Sequence, residues 1–350
     1  MPHLARLFLF GAVSAAGLLP LQATDLIKAD NASNLRTAGT YAAPNDTVVA
    51  PTNADWVIFN NTFATTTGSI SSGGSLAALG LRVVNPGNDV TLALGNATFS
   101  IGVSGGTSGS IDLSSATKNL TITSGGSFGV IRMMGSAPTI SVAAGRTLTI
   151  GAPMSAYNGG SLAITGAGTT NLNGVISNGN SGTTRIVYTG TNTLTLGGLN
   201  TYTGGTSAST GTVAISQDFT MAGANAIGIN ATSGTNGKMT FGGGTLTFGG
   251  TLQLDLTGTF SSGGTFDLIN LGSGVSAGGF SAVSIAGSYT ASLVNNGSGV
   301  WSGASGGTTF VFDQSSGDLT VSAIPEPSTV SLLIGGLGLG VALTLRRRRA

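Results

Sequence analysis

The chain has 350 residues, 59 of them glycine and only 7% charged, with no cysteine, a lone histidine at His3 and a formal net charge of +1. Without cysteine there is neither a disulfide framework nor a thiol nucleophile, and without a histidine pair the usual zinc ligand sets are excluded. Glycine at more than twice its ordinary share of about 7% leaves disorder and a turn-rich β architecture as the rival readings. The many regularly placed apolar residues favour the second.

Met1 to Arg6 is a short basic segment, Leu7 to Leu21 is apolar, and Leu21-Gln22-Ala23 offers a small residue at the cut position, so residues 1–23 read as a secretory signal peptide. Between residues 24 and 323 eight Lys and Arg face eleven aspartates, so this body is slightly acidic and offers no basic surface of the kind that takes nucleic acid. Residues 24–84, with Trp56 and Phe59, are expected to form an N-terminal β cap.

From residue 85 onward, triplets of apolar, small or polar, apolar recur, as in Leu120-Thr121-Ile122, Leu148-Thr149-Ile150, Leu162-Ala163-Ile164, Leu194-Thr195-Leu196, Val213-Ala214-Ile215, Leu246-Thr247-Phe248 and Leu252-Gln253-Leu254. Each has the period-two alternation of a half-buried strand and most are bounded by Gly, Asn or Ser. Their spacing fits stacked rungs of about 20 to 30 residues, because a lone short strand cannot bury its apolar face but a stack of them can. No amphipathic helix is expected between 24 and 323.

The sharpest repeat is LTLGGLNTYTGGTSASTGTVAIS, Leu194 to Ser216. It resembles the passenger-associated repeat of autotransporter proteins, which implies a right-handed parallel β-helix over residues 85–255. The large C-terminal membrane barrel of true autotransporters has no counterpart here. Within the repeat, Leu194, Leu196, Val213 and Ile215 are the expected inward residues, Gly204 and Gly205 the expected tight turn with positive φ, Asn200 a corner hydrogen-bonding residue and Tyr202 the cover of a rung edge.

Residues 256–323 carry longer strands separated by Asn-Gly and Ser-Gly turns and are expected to form an antiparallel module that closes the open end of the stack. The sequence then changes character. Pro325-Glu326-Pro327, with Glu326 the only glutamate, is followed by the 16 uncharged residues Val330 to Leu345 and by Arg346, Arg347, Arg348 and Arg349. A helix of that length spans about 24 Å at about 1.5 Å per residue, close to a bilayer core once the flanking residues are added. The arginines would hold its end on the inner face. The order of these parts resembles the PEP-CTERM sorting signal read by exosortases, which implies an exosortase-type enzyme as partner, cleavage near the motif, and delivery of the body to the bacterial cell surface or extracellular matrix. A permanent anchor by one C-terminal helix shares the same physics.

No catalytic constellation stands out. The body lacks a histidine base, and Lys28, Lys118 and Lys238 lie in no nucleophile motif. Asp46, Asp89, Asp218 and Asp318 stand beside Gly, Asn or Ser, where aspartate makes local turn bonds. Asp112 and Asp267 approach a calcium-binding β-roll unit but do not recur at its spacing. The expectation is an all-β, non-enzymatic surface protein without cofactor or metal, adhesive or associated with extracellular polysaccharide. The alternative is a β-helical polysaccharide hydrolase or lyase using aspartates, whose paired carboxylates would share one groove.

Overall fold

The computed structural model describes residues 24–323 apart from 49, 67–68, 126–128 and 273. The signal peptide, Pro325-Glu326-Pro327 and Arg346 to Arg349 lie outside the described residues. Among the described residues the chain is all-β, a parallel solenoid of the right-handed type with about nine turns. No helix among them is long and apolar enough to cross a membrane.

Each turn visits three faces. On the first face one column of side chains can be followed through the pairing register: Val57, Leu81, Ile111, Ile140, Ile164, Tyr188, Ala208, Ile227, Leu254 and Ile285. The turn length varies from 19 residues, Ala208 to Ile227, to 31, Leu254 to Ile285. The second face stacks Leu92, Ile122, Ile150, Leu172, Leu196, Ile215 and Phe241 in the same way. All of these side chains are buried. In a sheet buried on one side, a slip of one residue would turn every such side chain out to water, so the short triplets fix the register despite the uneven turn lengths.

The third face is interrupted. Five strands, from Leu76–Ala78 to Ile176–Ser177, form one ladder, and Phe219–Met221, Thr245–Phe248 and Val275–Gly278 form another. The gap is filled by the NTYTGGT segment of the repeat. Asn200 Oδ1 accepts the Ile176 N–H (2.8 Å), which otherwise would lack its ladder partner. Tyr202 does not cover a rung edge: it turns into the core, buried, with its hydroxyl 2.6 Å from Thr206 Oγ1 and its ring 5.6 Å from Phe219. Of the two glycines, Gly205 has the positive φ (95°), whereas Gly204 is needed because a Cβ there would lie 2.4 Å from the Thr184 carbonyl oxygen.

Parallel pairing begins at Thr24–Ile27 with Asp55–Phe59 and runs to Ala282–Gly287, so the stack extends on both sides of residues 85–255. The chain between the first two rungs buries Leu35 and Tyr41, and Phe63, just after the second, is buried with its ring 5.2 Å from Phe59. Asp30 ties this segment to the next turn by accepting from Thr65 and Thr66, and these bonds hold its carboxyl well below the usual carboxylate range. At the other end, Ala282–Gly287 pairs antiparallel with Ala291–Asn295, and the sheet continues through Val300–Ser305, Thr308–Asp313 and Asp318–Ala323 to Gly264–Asp267. On the first face the last parallel strand is therefore paired on both sides, whereas Ile269–Asn270 and Val275–Gly278 end the ladders of the other two faces. Phe280 joins the two parts, 5.0 Å from Phe248 in the solenoid and 6.3 Å from Phe312 in the antiparallel sheet.

Lys28 is buried under the N-terminal segment. Its ammonium donates to the carbonyls of Ala29 (3.0 Å) and Asn31 (2.8 Å) and to Asn31 Oδ1 (2.7 Å). Burial lowers its pKa from 10.5 to about 8, and nearby Asp30 opposes the shift. From about pH 8 upward the folded chain has lost a proton that the unfolded chain keeps, so stability should rise with pH towards about 10. Above that the sign reverses, because burial pushes the Tyr41, Tyr188 and Tyr202 hydroxyls up and the unfolded chain ionises first. Thermal unfolding followed across this range should show the maximum. In Lys28→Met the rise between pH 8 and 10 should vanish while the fall above it remains.

Candidate functional site

Where the third face turns into the first, five successive turns meet in an open trough of about 650 Å³. Its floor is backbone: Gly105 and Gly106, Gly135 and Ser136, Asn158 to Ser161, Gly182 and Thr183, and Gly204. Gly135, Gly159, Gly160 and Gly204 are there because the coils touch main chain to main chain. At Gly160, with φ of 114°, a Cβ would sit 2.7 Å from the Ser136 carbonyl oxygen. The consequence is a channel crossing the rungs with few side chains in it and many polar backbone groups along it.

Two side chains stand out in this channel. Arg185, at an outward position of Thr184–Tyr188 beside Ser161, has its Nε–H covered without a partner. Among the described residues it makes no ion pair, since the two present are Arg82–Asp112 (2.9 Å) and Lys238–Asp267. Asn158 donates from Nδ2 to Ser104 Oγ (3.0 Å), but its Oδ1 is covered and unpartnered. Unmet buried polar groups are uncommon, and these two share the channel, whereas the Tyr188 hydroxyl, Asn200 Nδ2 and Trp301 Nε1, also unpartnered, lie outside it.

A second groove of about 270 Å³ adjoins it on the third face, lined among others by Arg132, Ser155, Tyr157, Asn178 and Asn180. The Arg132 guanidinium lies over the Tyr157 ring, 4.8 Å from its centroid, which gives a planar cation backed by an aromatic face. The loop Asn178 to Thr183 separates the two grooves, contributing Asn178 to Asn180 to one and Gly182 and Thr183 to the other. Asn178 Oδ1 fixes it by accepting the N–H groups of Thr184 (3.1 Å) and Thr203 (2.9 Å).

The aspartates singled out in the sequence lie elsewhere. Asp89 accepts from the Asn119 N–H and side-chain amide (both 2.9 Å), and these bonds lower its pKa. Asp218 caps Thr245 (2.7 Å), and Asp112 holds Ser114 (2.6 Å) and Arg82. The register does bring Asp267, Asp318 and Asp313 side by side across three antiparallel strands. Of these, Asp267 is engaged by Lys238 and Asp313 by Ser315. Neither groove described above contains a carboxylate. Among the described residues no group of three or more His, Cys, Asp or Glu is placed to hold a metal ion.

No family model, curated protein or solved structure matches the chain. The site therefore rests on its own geometry. Arg132, Tyr157, Asn158 and Arg185 were not singled out by motif, because each belongs to a different position of its rung and only the coiling brings them to one corner. One signal in the sequence does point to them: residues 113–217 contain Lys118, Arg132, Arg146 and Arg185 and no acidic residue.

Proposed function

We propose that the protein is an exported, non-catalytic surface or matrix protein whose solenoid binds extracellular polysaccharide along one corner. The observation that carries this reading is the trough itself. It is open, crosses several rungs and is floored by backbone, so an extended chain of sugars can lie along it and exchange hydrogen bonds with fixed N–H and C=O groups. Such a site costs little reordering of side chains on binding, because few side chains line it. The second face supports the same role as a passive polar surface: an outward file runs from Thr91 through Thr121, Thr149, Asn171 and Thr195 to Thr240, interrupted by Ala214. Export by the N-terminal signal, exosortase-type sorting of the tail and residence at the bacterial cell surface or in its matrix are parts of this proposal, drawn from residues 1–23 and 324–350.

Co-sedimentation of the full-length chain with the extracellular polysaccharide of its own host tests the reading. The wild type should pellet with the polymer, and Ser161→Trp, which fills the trough from an outward position, should stay in solution at the same polymer concentration. Equal behaviour of the two proteins would reject the trough as the binding surface.

A further inference from the structure

Charge is distributed along the solenoid in three blocks. Residues 24–112 hold six aspartates against Lys28, Arg36 and Arg82, and residues 218–323 hold five aspartates against Lys238. The turns between them, residues 113–217, hold four cations and no carboxylate. Both grooves fall in or open mainly onto this middle block. Of its four cations, Lys118 and Arg146 lie at a different corner, the one between the first and second faces, where Arg146 is spent on the Thr117 carbonyl (2.7 Å). Arg132 and Arg185 remain, one backed by Tyr157 and the other with an unpartnered Nε–H, and among the described residues neither makes an ion pair.

A protein that keeps carboxylates out of its middle turns while using them freely at both ends leaves those turns as the place where outside negative charge is favoured. We infer that the paired grooves select an anionic polysaccharide, its carboxylate groups meeting Arg132 and Arg185 and its ring faces resting on Tyr157 and the glycine floor. This inference rests on the polysaccharide-binding reading and adds to it the charge of the ligand. The acidic ends argue for a polymer whose charges lie farther apart than those of duplex DNA, as in a chain with no more than one carboxylate per sugar. Duplex DNA carries one negative charge per about 1.7 Å, and a stretch long enough to leave the middle block would be repelled by both flanks.

Affinity measurements on the full-length chain in non-ionic detergent, with polygalacturonate, neutral dextran and duplex DNA as probes, test this. Polygalacturonate should bind most tightly, and its binding should weaken steeply between about 0.05 and 0.5 M salt as the charges are screened. Arg185→Gln and Arg132→Gln should each lower that affinity roughly tenfold, the size of a charge-assisted hydrogen bond. Lys118→Gln, on the far corner, should leave it unchanged, and all three variants should keep the wild-type circular dichroism. Equal binding of dextran and polygalacturonate would overturn the charge selectivity while leaving polysaccharide binding in place. A loss in Lys118→Gln equal to that in Arg185→Gln, or a preference for DNA, would also overturn it. Failure to bind either polysaccharide would overturn this inference, while co-sedimentation with the host polymer decides the broader reading separately.

Discussion

Leu196→Asp should unfold the central turns of the solenoid, whereas Thr195→Asp, one residue away, should be tolerated. Leu196 is fully buried, stacked between Leu172 below and Ile215 above. Truncating such a leucine to alanine alone costs about 2–5 kcal/mol, and an aspartate adds the desolvation of a charge with no cation in reach. Thr195 points outward between Asn171 and Ala214, where a carboxylate stays hydrated and the expected change is within about 0.5 kcal/mol. The damage should be local at first, because each turn is stabilised mainly by its neighbours. Limited proteolysis is the sensitive measurement: new cleavages between about residues 170 and 240 in Leu196→Asp, none in Thr195→Asp. Equal protease sensitivity of the two variants would contradict the alternation on which the fold rests.

The contrast between these adjacent residues shows what the linear sequence conveys. In each of the apolar triplets the outer two residues are buried and the middle one faces out, from Leu120 and Ile122 to Leu319 and Val321. A strand of three or four residues has a period of two whatever it pairs with, so this much follows from local pattern. The pairing partner does not. Ala208 meets Ile227 after 19 residues while Leu254 meets Ile285 after 31, because the corners absorb loops of any length without disturbing the ladder. The trough is built at those corners. Its Gly135, Gly160 and Gly204 are indistinguishable in sequence from the other glycines, and their shared role appears only once the coils are in register. Tyr202 makes the same point from inside the core. An aromatic residue in a Gly/Thr-rich segment looks like a surface cover, but at its rung the third face has no strand, and the ring fills the space that a strand's side chains would otherwise occupy.

Glu326→Ala should leave the exported chain in the membrane with its tail intact. A passive anchor needs only the apolar residues Val330 to Leu345 and the arginine cluster, and the loss of one carboxylate outside the span would not change its insertion. An enzyme that reads Pro325-Glu326-Pro327 is in a different position. On the proposed sorting reading, prolines on either side of Glu326 disfavour helix there, so Glu326 would be the one charge offered to the enzyme beside the membrane. A cation placed in the enzyme to meet it would be left unpaired by the alanine variant, a loss of the kind that costs about 3–5 kcal/mol when the pair is buried, or more than a hundredfold in recognition. In a host that has the sorting enzyme, mass spectrometry of the surface fraction should find wild-type chains ending before the arginines. The Glu326→Ala chains should instead accumulate in the membrane fraction with Arg346 to Arg349 still attached. Wild-type surface protein that still carries the four arginines would establish a permanent anchor, and identical processing of the two chains would show that the motif is not what the enzyme reads.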